Sequence, residues 1–287
     1  MHHEFNPTDK KTALVTGANS GMGLASTVEL MKKGYHVIML CRNEPRGKEA
    51  LRSAMQESGS DKAELMIGDL ASLQSIHRFN EEFNAHYSKL DVLINNAGVV
   101  SIKRTTTEDG FESMMGINHL GHFLLTNLLL DKIQCSKQGR IVTVSSGAHK
   151  AGNIHFDDPH LKRKYSVIKG YSQSKLANIL FTLKLDEKLE NTSVLVNCVH
   201  PGAVSTNLGV NRGSGFGKTI HAMLRPFFLT PQQGADTAIY LATDPDLKIS
   251  GEYFYKRKVA ARSERAQNKL LAKQLWEWSA EEVGLEK

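Results

Sequence analysis

Long apolar runs are missing from this 287-residue chain. Nowhere does it reach the roughly 18 consecutive apolar residues that a membrane-spanning helix needs. Residues 1–11 are polar and carry no apolar stretch of the kind a secretory leader uses, so neither secretion nor a membrane span is expected. Cysteine is scarce as well. Cys41, Cys135 and Cys198 lie far apart with no Cys-x-x-Cys spacing, which excludes a disulfide framework. They read as free thiols in a reducing compartment, with cytoplasm the expected location, and no metal site is predicted. Only 7 prolines occur and no Pro-rich linker, repeat or low-complexity tract interrupts the chain. A one-signed charge is also lacking. The formal net charge of +6 is spread among interspersed acids and bases, and the densest basic runs, residues 162–164 and 256–258, are three residues long. Such short runs read as solvated surface and argue against a nucleic-acid partner. A mild basic excess does suit a phosphorylated cofactor.

What the chain does have is a regular alternation of short apolar runs and amphipathic stretches. Residues 12–16, 35–42, 63–67, 91–94, 140–144 and 193–199 read as strands, with a short seventh near 251–254. Helical periodicity falls between them, including a long stretch over about 111–133 and another over 230–241 with Pro231 in its first turn. This alternation predicts one doubly wound α/β domain, with a parallel sheet of about seven strands and helices on both faces. Residues 1–10 read as a polar extension and 11–260 as the domain. Residues 261–287 read as a helical tail packed on it, with Leu270, Leu271, Leu275 and Trp276 at helical spacing. Residues 203–229, rich in glycine, are expected to form a substrate loop.

Candidate chemistry collects at the predicted carboxyl ends of the strands, where open α/β sheets bind ligands. After the first strand come Gly17, Asn19, Ser20, Gly21, Met22 and Gly23, and then a helix. Strand, glycine turn and helix make a phosphate site: glycine lets the backbone approach a pyrophosphate, and the helix terminus offers free N–H groups and partial positive charge. After the second strand, where an acid for ribose hydroxyls is common, stand Cys41, Arg42 and Asn43. A guanidinium there matches a 2′-phosphate in charge and geometry, which favours NADP(H) over NAD(H); the alternative is an Arg that solvates a loop. Asp69, followed by Leu70, ends the third strand and either accepts from an adenine amino group or caps the helix near Ser72. The fourth ends in Asn95, Asn96, Ala97 and Gly98, small enough for close passage of a ligand. Ser145 and Ser146 end the fifth, and Pro201 and Gly202 follow the sixth. Asn118 lies on an otherwise apolar helical face and either bonds main chain or holds a water. Tyr171 and Lys175, four apart on one helix face, form a candidate acid/base pair in which the ammonium is expected to pull the phenol toward neutrality.

In this order and at these strand ends, the residues resemble the short-chain dehydrogenase/reductase family over roughly residues 10–255, a single-domain Rossmann-type fold. The closer likeness is to its retinol dehydrogenase-like branch. It rests on Cys41-Arg42, Val144-Ser145-Ser146, Ala148-His149, Asp157-Asp158, the run from Tyr171 to Asn178, and His200-Pro201-Gly202. The resemblance implies that Tyr171 is general acid or base at a carbonyl or alcohol, and that Lys175 tunes it and holds the nicotinamide ribose. It implies that Ser146, the second of the pair, bonds the substrate oxygen, and that Asn118 positions a relay water. Val204 and Thr206 join the cofactor residues on the same ground. So does the expectation of a homodimer or homotetramer. The 25 residues from Ser146 to Tyr171 exceed the usual separation and fit the insertion typical of that branch. Membrane-bound vertebrate members carry an apolar N-terminal anchor, a pattern residues 1–11 do not show.

The resulting expectation is an NADP(H)-dependent oxidoreductase that interconverts a small-molecule carbonyl, aldehyde or ketone, with its alcohol. The rival is a dinucleotide-binding or redox-sensing protein of the same fold without turnover. Lesions at the catalytic positions would mark the rival, and none is present.

Overall fold

The computed structural model describes residues 11–202 and 229–286. Its centre is β1 (Thr12–Thr16), an apolar run buried at every position. It pairs in parallel with β2 (His36–Cys41) on one side and β4 (Val92–Asn95) on the other, so that Leu14 lies level with both Ile38 and Leu93. With β3 (Ala63–Ile67), β5 (Arg140–Val144), β6 (Leu195–Val199), β7 (Tyr253–Tyr255) and β8 (Lys258–Val259) the sheet runs β3-β2-β1-β4-β5-β6-β7-β8. All pairings are parallel except β7 with β8. The expected sheet of about seven strands is therefore present with one short addition. A hairpin through Lys256 and Arg257, both in the left-handed region at φ 50° and 59°, folds the two-residue β8 onto β7.

Helices cover both faces, some turning one apolar stripe inward and others, over residues 121–126 and 172–182, buried at every position. On one face α3 (Leu73–His86), α5 (Gly121–Leu128) and α7 (Val167–Lys188) bury Phe79, Phe83, Phe123, Leu124 and Phe181 against the sheet. On the other, α1 (Gly21–Lys32), α2 (Glu44–Ser58) and α8 (Pro231–Thr243) bury Val28, Met31, Ala50, Ala238 and Leu241. Strand order reverses between β1 and β4, and the crossovers diverge there, leaving a crevice at the carboxyl ends of the strands.

Two helical expectations are revised. The stretch over 111–133 is not one helix. It runs as α4 (Ser113–Met115), a π-helical segment (Gly116–Leu120), α5, and α6 (Leu130–Gln134). Gly121 N–H bonds Gly116 O, five residues back, and a π segment of this kind commonly marks a functional site. In the C-terminal tail the helix α9 (Lys269–Glu282) packs through three of the four expected positions, Leu271, Leu275 and Trp276, and departs only at Leu270. Ala272, Leu275, Trp276, Ser279 and Ala280 are buried, whereas Leu270 faces solvent. Trp276 stands edge-on to Phe123 and stacks on Phe181, which ties the tail to the core beneath α7.

Candidate active site

The glycine turn is built to leave a helix end open. Gly17 at φ 64° and Gly21 at φ 54° adopt left-handed backbone that side chains disfavour. Ser20, the residue that begins α1, makes no side-chain cap. By contrast Asn43, Ser72, Ser166, Thr230 and Asn268 each accept a main-chain N–H at the start of α2, α3, α7, α8 and α9. The open terminus of α1 and the cradle around it suit a pyrophosphate. Gly23 serves differently. A Cβ there would stand 2.3 Å from Gly17 O and 2.7 Å from Asn96 Nδ2, so Gly23 seats the helix against the turn and does not line the crevice.

Thr16 joins the ends of β1 and β4. Its Oγ1 accepts from the main-chain N–H groups of Asn96 and Ala97, both at 2.9 Å, and Asn96 Nδ2 donates to Thr16 O at 2.8 Å. This arrangement holds Asn96, Ala97 and Gly98 along the floor of the crevice, whose lining also includes Asn19, Ser20, Gly21, Met22, Leu70, Pro201 and Gly202. At the β2 end Arg42, Asn43 and Arg46 stand exposed at the rim. Asn43 Oδ1 is occupied as the cap of α2 by Arg46 N–H at 3.0 Å. Asp69 neither caps α3, a role Ser72 fills, nor stands free: its Oδ1 accepts from Ala71 N–H at 2.9 Å and its Oδ2 lies 3.9 Å from Arg42 Nε.

The acid/base candidates converge on the first turns of α7. Tyr171 and Lys175 share its inner face, with Lys175 Nζ 5.7 Å from the centre of the Tyr171 ring. The phenol has Ser146 for a neighbour, half-buried at the end of β5 and lining the same crevice. Ser145 is turned the other way: its hydroxyl is buried and donates to Lys175 O at 2.7 Å. Ser146 Oγ, by contrast, accepts Ala148 N–H at 3.2 Å and keeps its own proton to donate to a ligand. Between Ser146 and Tyr171 the extra length forms a 3-10 turn (Gly147–Ala151) and a loop pinned by Gln173, which accepts from His155 N–H and donates to Pro159 O.

Lys175 is 4% exposed, and its Nζ donates to Val144 O at 3.0 Å. Burial lowers its pKa to about 8. The Tyr171 pKa moves opposite to expectation. Burial of the phenol raises it, and the neighbouring Ser146 hydroxyl offsets only part of that rise. The ammonium is aimed at the Val144 carbonyl instead of the phenol oxygen, so desolvation outweighs the expected charge effect. Asn118 sits behind this pair, fully buried. Its Oδ1 accepts from Val99 N–H at 2.7 Å, while its Nδ2 donates to Val99 O at 3.0 Å and Ser174 Oγ at 3.1 Å. The side-chain amide is thus saturated by protein, as the packing alternative would have it, and the main-chain carbonyl lies 3.1 Å from His122 Nδ1.

Of the residues singled out from the sequence, those from Gly17 to Met22, those at the β2, β3 and β4 ends, Ser146, Tyr171, Lys175, Pro201 and Gly202 line one crevice. Gly23 and Asn118 support it from behind. Val204, Thr206 and nearly all of the expected substrate loop lie outside the described residues. The sequence reading missed the hub role of Thr16, the second guanidinium at Arg46, and His122, whose ring is hydrogen-bonded to Thr16 Oγ1. Arg46 was discoverable, one helical turn beyond Arg42; His122 carried no signal beyond its place among apolar residues.

A parallel α/β sheet with a glycine turn at its switch point and a Ser-Tyr-Lys group across the crevice defines a dinucleotide-binding oxidoreductase. Residues 11–215 match the family model for short chain dehydrogenase, and the chain belongs to the short-chain dehydrogenase/reductase family, which binds a nicotinamide dinucleotide. It is 46% identical to retinol dehydrogenase 14 of Mus musculus, an alignment covering 96% of this chain and 86% of that protein. It is 42% identical to human retinol dehydrogenase 13, covering 96% and 85%. Among solved structures, an uncharacterised protein from Mycobacterium paratuberculosis superposes with a TM-score of 0.77 at 33% identity, covering 98% of each chain. A single-site variant of actinorhodin polyketide ketoreductase with NADPH gives 0.67 at 25% identity, covering 87% of this chain and 96% of that one.

Proposed function

We propose that this oxidoreductase uses NADP(H) to interconvert a lipophilic aldehyde or ketone with its alcohol. The observation that carries the reading is that Ser146, Tyr171 and Lys175 line one crevice with the open end of α1, Lys175 lying one turn beyond Tyr171 on the same helix face. A bound nicotinamide dinucleotide would supply or accept hydride there. Ser146 holds the substrate oxygen beside the Tyr171 phenol. Tyr171 donates the proton to that oxygen in reduction and takes it back in oxidation. The raised phenol pKa keeps the donor protonated at neutral pH. Lys175 presents its ammonium between Tyr171 and Val144 O, where it can hold ribose hydroxyls and lower the phenol as charge develops. Asn118 keeps its carbonyl in the π segment to bind a relay water.

Preference for NADP(H) is supported by Arg42 and Arg46 at the rim beside β2, with Cys41 where an acid for ribose hydroxyls would stand. A retinoid-like substrate is supported by likeness to proteins named retinol dehydrogenases. Among the described residues no helix is long and apolar enough to cross a membrane. Purified protein is tested with NADPH and NADH against aldehydes, ketones and retinal. NADPH-dependent turnover that disappears in Tyr171→Phe is expected. Equal rates for wild type and Tyr171→Phe across the panel would remove the reading, and preference for NADH would remove its cofactor half.

A further inference from the structure

His122 lies on the first turn of α5 and is 1% exposed. Its two ring nitrogens bridge the end of β1 and the π segment. Nδ1 is 3.1 Å from Asn118 O and Nε2 is 2.8 Å from Thr16 Oγ1. A carbonyl oxygen can only accept, so the Nδ1 partner requires the proton on Nδ1. Burial lowers the imidazole pKa to about 4, with the nearby Lys175 charge adding to the shift, so the ring is neutral and Nε2 is an acceptor. The Thr16 hydroxyl must then donate to Nε2. Its lone pairs already take the N–H groups of Asn96 and Ala97. The competing acceptor, Ile94 O, is more distant at 3.4 Å. Every donor and acceptor along the path has one consistent assignment. Asn96 and Ala97 N–H donate to Thr16 Oγ1, Thr16 O–H donates to His122 Nε2, and His122 Nδ1–H donates to Asn118 O.

We propose that His122 is a positioning residue that locks the Asn118 carbonyl to the turn at the ends of β1 and β4, so that the dinucleotide floor and the proton-relay end keep one register. The inference rests on the dinucleotide reading above. Two further observations motivate it. The carbonyl that His122 holds lies inside the π segment, where helical geometry alone does not fix the i to i+4 pattern. The Asn118 amide is meanwhile consumed by Val99 and Ser174, so of this residue's side chain and carbonyl it is the carbonyl, which can accept a second bond beside that from His122, that can act. A Phe at 122 would fill the volume and break both bonds. Asn places an amide N–H close to the Nδ1 position, and Gln places an amide oxygen close to the Nε2 position, so each restores one half of the bridge.

The experiment measures NADPH Kd by fluorescence, kcat with the best carbonyl substrate, and Tm, for wild type and for His122→Phe, His122→Asn and His122→Gln. His122→Phe is expected to weaken NADPH binding and kcat by about 10-fold each, the scale of one lost buried hydrogen bond. His122→Asn should recover kcat to within about 3-fold of wild type while Kd stays weakened. His122→Gln should recover Kd while kcat stays low. A residue that merely fills space would leave Kd and kcat moving together with Tm in all three variants. That outcome, or wild-type values in His122→Phe, overturns the proposal. The binding arm needs no substrate, so the split in Kd between His122→Asn and His122→Gln decides even where His122→Phe fails to fold. Wild-type protein that binds no dinucleotide would remove the reading beneath; wild type that binds, with no split among variants, removes the His122 inference alone.

Discussion

At the β2 end of the crevice the Arg42 side chain is 67% exposed and meets Asp69 only at 3.9 Å. At the β5 end Lys175 is 4% exposed and bonded to Val144 O, a carbonyl that also takes Asn178 Nδ2. One end is assembled from long, solvated side chains whose partners are loose. The other is assembled from short hydrogen bonds inside the core, where an unpaired group would be penalised. The rim can therefore change its ligand preference without disturbing the fold, whereas a change at the chemical end is felt in stability as well as turnover. Variants at the two ends accordingly need different controls.

The sharpest break at the buried end is Tyr171→Phe, which removes the proton donor and leaves the ring packed. Turnover is expected to fall by about 10²–10⁴-fold with NADPH affinity retained, checked by steady-state kinetics beside a binding titration. Lys175→Met comes next and has two signs. It lowers turnover by about 10²-fold if the lysine assists proton transfer, yet it should stabilise the protein at pH 7 by roughly 1–3 kcal/mol. The folded pKa of about 8 lies below that of a free lysine, so the unfolded chain binds more protons between the two values. The burial penalty is full below the folded value and is relieved as pH rises toward about 10.4. The stability gain of the Met variant should shrink over that window, and denaturation curves from pH 7 to 10 measure it. Val144 O keeps Asn178 as a donor in either case.

The serines sharpen the comparison within a single strand end. Ser146→Ala should lower kcat by about 10-fold or more. Ser145→Ala should instead show chiefly in Tm, through loss of about 1 kcal/mol from its buried bond to Lys175 O. Equal kinetic losses in the two would reverse their assignment. At the rim, Arg42→Asp is expected to weaken NADPH about 10-fold relative to NADH, with Tm unchanged. Arg46→Asp should do so to a smaller degree, read as the ratio of the two dissociation constants.

The same contrast explains what could be read from the residues in order. Strands such as 12–16 and 140–144 are short apolar runs buried at every position, and the glycine turn sits between a strand and a helix, so the sheet and the phosphate end were legible. Tyr171 and Lys175 were legible from helical spacing. The direction of the Tyr171 shift was not, because it depends on where Lys175 Nζ points once the strand beside it supplies a carbonyl. The break-up of the helix after Phe111 was hidden for a similar reason. Gly116 lies against Thr107, where a Cβ would stand 2.5 Å from its Cγ2, and that approach exists only in the folded chain. Thr16 and His122 are 106 residues apart and look like an ordinary strand end and an ordinary core residue until they meet. β8 is two residues long and carries no period at all.

The uncapped start of α1 has a thermodynamic consequence. Asn43, Ser72, Ser166, Thr230 and Asn268 secure the first turns of their helices, whereas the first turn of α1 faces the crevice with its N–H groups unclaimed by Ser20. Whatever anion satisfies those groups binds the native chain and not the unfolded one, and so raises the midpoint of melting by mass action. Pyrophosphate, ADP carrying a 2′-phosphate and the whole dinucleotide form a graded series for dissecting that gain. The increment between the first two measures the adenosine end, and the remainder measures the nicotinamide end, all without a single turnover.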